Sequence, residues 1–347
     1  MQFSFKQLIL AVLISQSVVT FGQDVHFSQM AYSPTNLNPA LSGANSALQV
    51  IANYRSQWKS VAVPYQTFGA SIDARFNNNS RTKKGIIAGG LGFFNDQVGD
   101  LKVTTNNVTA NLAYHLILDR SSTLGLGIYG GYGQRTIDPD GGRWGNQYDG
   151  SSYDAALPTN ETFNTPSFGY LDAGAGLVYT YRSFEGYMTQ NNQRQVNGGV
   201  AFYHVNNPSF SFIDNGTEKL YMRWSMFVNA LIGFENSDGA LEPAIYFNRQ
   251  KSTMEILYGA YYRFMLTEGS KVTGFNKPFY FHLGVFHRWG DALIAKSMIE
   301  WDQYSAGFAY DFNISSLTQV SSAKGGFEIF LRYNLIDSPG GTLTKFR

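Results

Sequence analysis

The side chains whose chemistry would matter first are five histidines, His26, His115, His204, His282 and His287, because imidazole binds metals and carries protons near neutral pH. No two of them have metal-site spacing on one strand face. His282 and His287 stand five positions apart, so a strand would point them to opposite sides. A serine hydrolase would need a G-x-S-x-G turn, and the chain has none. The glycine-rich run 125–133 looks like a phosphate loop, but it keeps a strand rhythm with no helix after it. These glycines read as positions that ease close strand packing. With no cysteine in 347 residues, disulfides, thiolate metal sites, a cysteine nucleophile and a Cys-anchored lipoprotein are excluded. The expectation is a non-enzyme with no catalytic, metal or cofactor-binding residues.

The composition turns attention to a wall rather than a site. Twenty-six basic residues against 25 acidic ones leave no excess charge for a nucleic acid. The 22 Tyr, 27 Phe and 36 Gly exclude a disordered chain. Only 15% of residues are charged, where soluble domains carry roughly 25%, yet the mean hydropathy is −0.20. The missing ions are replaced by Asn, Gln, Ser, Thr, Gly and Tyr. A wall with one face in lipid and one in water has this balance.

Residues 1–22 read as a cleavable signal peptide: Lys6, an apolar run from Leu8 to Val19, and small residues before Gln23. A membrane anchor is the competing reading, but Ser15, Gln16 and Ser17 interrupt a run already short of the roughly 20 residues that span a bilayer.

From residue 47 onward, apolar and polar residues alternate. Leu48, Val50, Ala52 and Tyr54 oppose Gln49, Asn53 and Arg55; Leu171, Leu177, Tyr179 and Tyr181 oppose Asp172, Thr180 and Arg182; Ile329, Leu331 and Tyr333 oppose Glu328 and Arg332. Such runs predict about fourteen strands, near 47–58, 65–77, 85–95, 102–118, 122–136, 167–182, 194–205, 219–235, 242–249, 252–266, 278–289, 292–301, 303–313 and 324–335. The fold class is therefore all-β, a transmembrane antiparallel barrel spanning 47–335. It is preceded by a short periplasmic or plug segment, 23–46, and followed by a periplasmic tail, 336–347. A soluble sandwich or propeller would have shorter strands and more Lys and Glu on its wet faces. Arg223, Glu255, Arg263 and Arg332 are the expected lumen charges. The longest connection, 137–165, is expected outside or folded into the lumen, while 267–277 breaks the rule that periplasmic turns are short.

The segment QDVHFSQMAYSPTNLNPALSGA followed by ANYRSQW carries Phe27, Ser28, Gln29, Asn38, Pro39, Ala40, Gly43, Tyr54, Arg55, Gln57 and Trp58. In these positions it resembles the PorP/SprF family of outer-membrane proteins from the type IX secretion system of Bacteroidota. Echoes at 93–100, 171–181, 200–210, 306–317 and 325–335 extend the resemblance over the mature chain. It implies an outer-membrane protein that binds or anchors the C-terminal domain of a secreted gliding-type adhesin. The implied partners are an OmpA-like periplasmic peptidoglycan-binding protein and other secretion components. A passive or substrate-specific channel and a structural tether to peptidoglycan are the other readings of the same barrel. The 23–46 segment is too short for its own core. With Phe27, Met30, Tyr32 and Leu37 as anchors, it is expected to pack into the periplasmic mouth or lumen.

Overall fold

The computed structural model describes residues 24–61, 63–76, 85–160, 165–183, 191–213, 216–269, 275–316 and 318–335. The expected leader 1–22 and tail 336–347 lie outside these residues.

Period-two alternation organises the wall. The strands are β1 Leu48–Gln57, β2 Tyr65–Arg75, β3 Gly85–Val98, β4 Val103–Ile117, β5 Ser122–Thr136, β6 Ser167–Ser183 and β7 Arg194–Tyr203. They continue as β8 Arg223–Gly233, β9 Gly239–Gln250, β10 Thr253–Thr267, β11 Phe279–Arg288, β12 Ala292–Trp301, β13 Tyr304–Asn313 and β14 Lys324–Leu335. Each pairs antiparallel with its chain neighbours, and β1 pairs with β14 from Leu48↔Leu335 to Gln57↔Gly326. The sheet is thereby a closed barrel with no unpaired edge, which is what lets strands sit in hydrocarbon without orphaned backbone groups. No helix among the described residues is long and apolar enough to cross a membrane.

The burial pattern is inverted relative to a soluble protein. On β4, Val108, Leu112, Tyr114 and Leu116 face outward and are exposed, while Asn107, Asn111 and His115 are buried inside. On β6, Leu171, Leu177 and Tyr179 are outside, and Asp172 and Thr180 are inside. An apolar exterior around a polar interior is the arrangement of a barrel in lipid. Aromatic neighbours such as Tyr54 with Phe327 and Tyr304 with Tyr333 add rings to the outer surface.

The barrel has two distinct mouths. At the near mouth β1 begins and β14 ends. The far mouth carries the two longest connections, 137–166 and 204–222. In the first, Asp138 N–H donates to Leu101 O, which lays the loop over the β3–β4 turn. In the second, Phe210 and Phe212 fold inward against Phe168 and Tyr170, with Arg135 over the Phe210 ring.

β3 runs three residues past its expected end and β9 begins three before its expected start, but β8 departs furthest from its expected bounds. The run 219–235 contracts to β8 at Arg223, because Leu220 is buried and Lys219 instead pairs with Ser209 inside the 204–222 connection. Alternation there continued past the wall into a loop that folds back on itself.

Because Ile128 faces outward near the middle of β5, Ile128→Arg should destabilise the barrel by about 2–4 kcal/mol, and Thr136→Arg at the rim by about 0–1 kcal/mol. Chemical unfolding from lipid bilayers measures both. Equal costs would contradict the outward assignment.

Candidate functional site

The lumen is occupied by residues 24–46 of the chain itself. This segment has no strand partner, so its backbone groups need other donors and acceptors. Short helical turns at Met30–Tyr32, Pro34–Leu37 and Pro39–Leu41 satisfy some of them. The barrel's inward side chains satisfy many of the rest.

Near the far mouth, Asp24 is held by a small electrostatic clamp. Its carboxylate lies 2.6 Å from His204 Nε2 and 3.3 Å from Arg223 Nε, and its N–H donates to Gln250 Oε1. The other ring nitrogen of His204 is 2.9 Å from Asp172, which also accepts from the Tyr129 hydroxyl at 2.6 Å. Burial works against the charged imidazole, but the two carboxylates outweigh it and raise His204 to about 9. Burial likewise opposes the Asp24 carboxylate, and His204 and Arg223 reverse this, holding it below the usual carboxylate range.

Beside the β1–β14 seam, Ser28 and Gln29 are gripped by charged groups from four strands, and His26 by one from a fifth. Ser28 N–H and Gln29 N–H donate to the two oxygens of Glu328, at 2.6 and 3.0 Å. The Ser28 hydroxyl donates to Asp311 at 2.7 Å and accepts from Arg288 at 2.6 Å. Lys296 Nζ donates to Ser28 O at 2.6 Å, and Arg55 donates to His26 O. Asp311 is in turn shared by Arg55 and Arg288, each at 3.0 Å, and Arg288 reaches Glu255 at 3.1 Å. Three cations thus face three carboxylates, a balance that buried charges require. His26, buried alongside, is pushed down to about 4 by loss of water and is neutral at pH 7.

Farther along, recognition is mostly of backbone. Tyr203 donates to Thr35 O and Arg223 to Asn36 O. Asn38 donates to Leu177 O and Val200 O at 3.1 and 3.0 Å. Tyr32 stacks on Phe330 at 3.7 Å between ring centroids, with Arg332 on the ring at 5.2 Å. At the near mouth Gly43 N–H donates to Asp73, Arg75 donates to Gly43 O and Ala44 O, and Arg182 reaches Asn45. Residues 24–46 therefore run from the far mouth to the near mouth, the whole depth of the barrel. Two cavities beside the segment measure about 10 and 20 Å³, each room for about one water.

Glycines in the wall and in the segment make this fit possible. A Cβ on Gly127 would lie 2.4 Å from Ala40 N, and one on Gly43, at φ +68°, would lie 2.3 Å from the Ala88 Cβ. Within 125–133 the roles divide: Gly131 and Gly133 lie close against Thr109 and Tyr170 of the neighbouring strands, as the strand-packing reading expects, while Gly127 gives the lumen segment its space. The expected lumen charges divide. Arg223 touches the segment directly, Glu255 acts through Arg288, and Arg332 lies on Tyr32 while pairing with Glu300. Arg263 pairs instead with Glu242 and Asn191. Among the motif residues, Phe27, Ser28, Gln29, Asn38, Pro39, Ala40 and Arg55 are buried at the contact. Tyr54 faces outward, Trp58 packs on Tyr65 beyond the end of β1, and Gln57 is half-buried. Arg288, Lys296 and Asp311 were not singled out by the sequence, and His204 only as one of five histidines without metal-site spacing. Their signal was a charge in a strand, or just beyond its end, in a chain that has few.

Two outcomes are expected. Gly127→Val should displace the segment and cost roughly 1–3 kcal/mol by overpacking, while Gly198→Ala, whose Cβ meets nothing nearer than 3.6 Å, should leave the thermal midpoint unchanged. The pH dependence has two limbs. His204 is raised above its ordinary 6.5, so its contribution is whole below about 6.5 and drains as pH rises towards about 9. His26 is lowered, so the folded state is penalised as pH falls from 6.5 towards about 4. The fall in thermal midpoint caused by His204→Gln should therefore be largest below about pH 6.5 and shrink as pH rises towards about 9; a difference between variant and wild type that does not change over this range would contradict the clamp.

Known proteins extend the comparison. None of the curated proteins matches the chain. Among solved structures, the toluene transporter TodX of P. putida shares 10% identity over 86% of this chain and 93% of its own, with a TM-score of 0.44. A BamA from Haemophilus ducreyi shares 8% over 83% and 70%, at 0.42, and a KdgM porin 10% over 82% and 99%, at 0.37. These values are too low to carry an argument. The sequence profile described as "Type IX secretion system membrane protein PorP/SprF" matches residues 19–333, nearly the full length. The chain whose barrel encloses its own residues 24–46 belongs to the PorP/SprF family of type IX secretion system membrane proteins.

Proposed function

We propose that this protein is a sealed, non-enzymatic barrel that binds the C-terminal domain of a secreted, gliding-type surface adhesin and supports its export. Family membership and the barrel fold support a secretion-related role at the outer membrane. The observation that carries the finer reading is the filled lumen. A diffusion channel needs continuous water, whereas here the chain's own residues 24–46 occupy the interior from mouth to mouth. Work is therefore left to the mouths. At the far mouth, loop 137–160 exposes Tyr148 and Tyr153, with Arg143 stacked over the Tyr153 ring at 5.2 Å. Aromatic and Arg side chains of this kind are common anchors of protein interfaces. The near mouth is the proposed place for an OmpA-like periplasmic partner, through the 267–277 connection and the tail.

Planar-bilayer recording and affinity capture test this together. The intact barrel should conduct little, deletion of 24–43 should open it or prevent its assembly, and the tagged intact protein should retain a large secreted adhesin in mild detergent. A conducting intact barrel that comes out of native membranes alone would establish the channel reading instead. Capture of an OmpA-like protein without an adhesin would favour the tether.

A further inference from the structure

The far end of β6 stands beyond its neighbour on one side. β5 pairs with it from Ser122↔Tyr181 to Thr136↔Ser167, but β7 pairs with it only from Arg194↔Ser183 to Phe202↔Ala175. In an antiparallel sheet, successive residues turn their N–H and C=O to opposite neighbours. Ile137 N–H donates to Pro166 O and Arg182 N–H to Ser121 O, so the even-numbered residues of β6 bond β5. Ser167, Gly169 and Leu171 therefore turn theirs to the β7 side. Among the described residues, that side supplies only Val205 N–H to Ala173 O and Asn206 Nδ2 to Leu171 O, the latter at 2.7 Å. No described strand pairs with the N–H groups of Ser167, Gly169 and Leu171 or the C=O groups of Ser167 and Gly169. The wall is closed as far as β7 reaches, and above that level β6 has an open edge.

Nothing in the residues of this edge guards it. Native edges are usually blunted by Lys, Pro, a bulge or a covering loop, whereas the run Ser167-Phe168-Gly169-Tyr170-Leu171 has no charge and no Pro. Gly169 is exposed, and Leu171 is 70% exposed. The 204–222 connection covers the inner face, where Phe210 and Phe212 lie on Phe168 and Tyr170. We infer that Ser167–Leu171 is a docking edge for an extended strand of another polypeptide, which adds to β6 at the far mouth, directly after the 137–166 connection. The far mouth carries the longer connections, the side that faces outward in barrels of this kind, so the strand arrives from outside. Main-chain hydrogen bonds supply the affinity, and the side chains set the choice of strand. The occupant is an uncharged run, apolar where it lies outside beside Leu171 and small where it meets Phe210 and Phe212. A second copy of this chain does not fit. Two barrels that share a membrane and an orientation are related by an axis along the bilayer normal, so strands tilted by about 35–45° cross at about 70–90° instead of pairing. The inference goes beyond the adhesin reading and stands without it, because it follows from the backbone of β6 and not from loop 137–160.

Photo-crosslinking in whole cells tests this. Tyr132 of β5 stands opposite Leu171, and its hydroxyl lies over Gly169, so p-benzoylphenylalanine in place of Tyr132 reaches an added strand. Irradiation should give an adduct of the chain with a different polypeptide. Leu171→Pro removes an edge N–H that the β5 ladder does not use, and it should cut the adduct about tenfold, the effect of one lost hydrogen bond. Leu171→Ala keeps that N–H and should leave most of the adduct, with the compact, heat-modifiable band of the closed barrel retained in both variants. A dimer of this chain, an adduct with lipid alone, no adduct, or an adduct that survives Leu171→Pro overturns the inference. Amide exchange of the wild-type chain gives a reading that needs no variant. The amides of Gly169 and Leu171 should exchange about tenfold more slowly in native outer membranes than in the purified barrel in liposomes of the same lipids. Equal rates in the two preparations overturn the inference.

Discussion

Everything in this barrel depends on the burial of charge around Ser28. Arg55, Arg288 and Lys296 face Glu255, Asp311 and Glu328 in an interior from which most water has been removed. Such groups are stable only when each finds partners, because desolvating an unpaired ion costs several kcal/mol. The strands alone do not complete the set. Ser28 contributes an N–H, a hydroxyl and a carbonyl, and Gln29 a second N–H, to Glu328, Asp311, Arg288 and Lys296. The segment is therefore a structural member of the wall, joining β1 to β14 from within.

Two features of the sequence serve that arrangement. Outward positions are apolar and carry the lipid contact, so the polar groups of each strand are free to face the segment. Glycines then remove side chains where the segment's backbone comes closest. Gly127 makes room for Ala40, and Gly176 and Gly199 make room for Asn38, whose amide bridges Leu177 O and Val200 O. The electrostatic clamp at Asp24 and the hydrogen bonds at Gly43 fix the two ends. With its ends held at both mouths, residues 26–29 bound at the seam and residues 35–38 bound to β6, β7 and β8, the segment leaves little space for solvent. That is why a role in secretion is better placed at the mouths than through the lumen.

Much of the wall was legible in the sequence because a strand's period of two is local. Fourteen strands and their outward faces follow from alternation such as Leu171 to Tyr181, and β5, β12 and β14 begin and end where alternation places them. The error at 219–222 arose because alternation says nothing about where a strand leaves the sheet. The path of the segment was not legible for a different reason. Ser28 meets Glu328 across 300 positions and Asp24 meets Gln250 across 226, and no periodicity links residues so far apart. The PorP/SprF-like motif marked Phe27, Ser28, Gln29, Asn38 and Arg55 without giving their task. The structure supplies it, since all five are buried where segment meets wall.

The central claim is that residues 24–46 fill the lumen of the native barrel, and an engineered cross-link tests it most directly. A Cβ on Gly92 would lie 3.1 Å from the Thr35 side chain, so a Thr35→Cys/Gly92→Cys pair places two thiols within bridging reach midway along the segment. Since the chain has no other cysteine, any internal bridge must be this one. Mild oxidation in native membranes should convert the pair to an intramolecular disulfide, visible as a mobility shift that reductant reverses. Two free thiols that stay reactive towards maleimide after oxidation, in a barrel that is otherwise folded, would contradict the account.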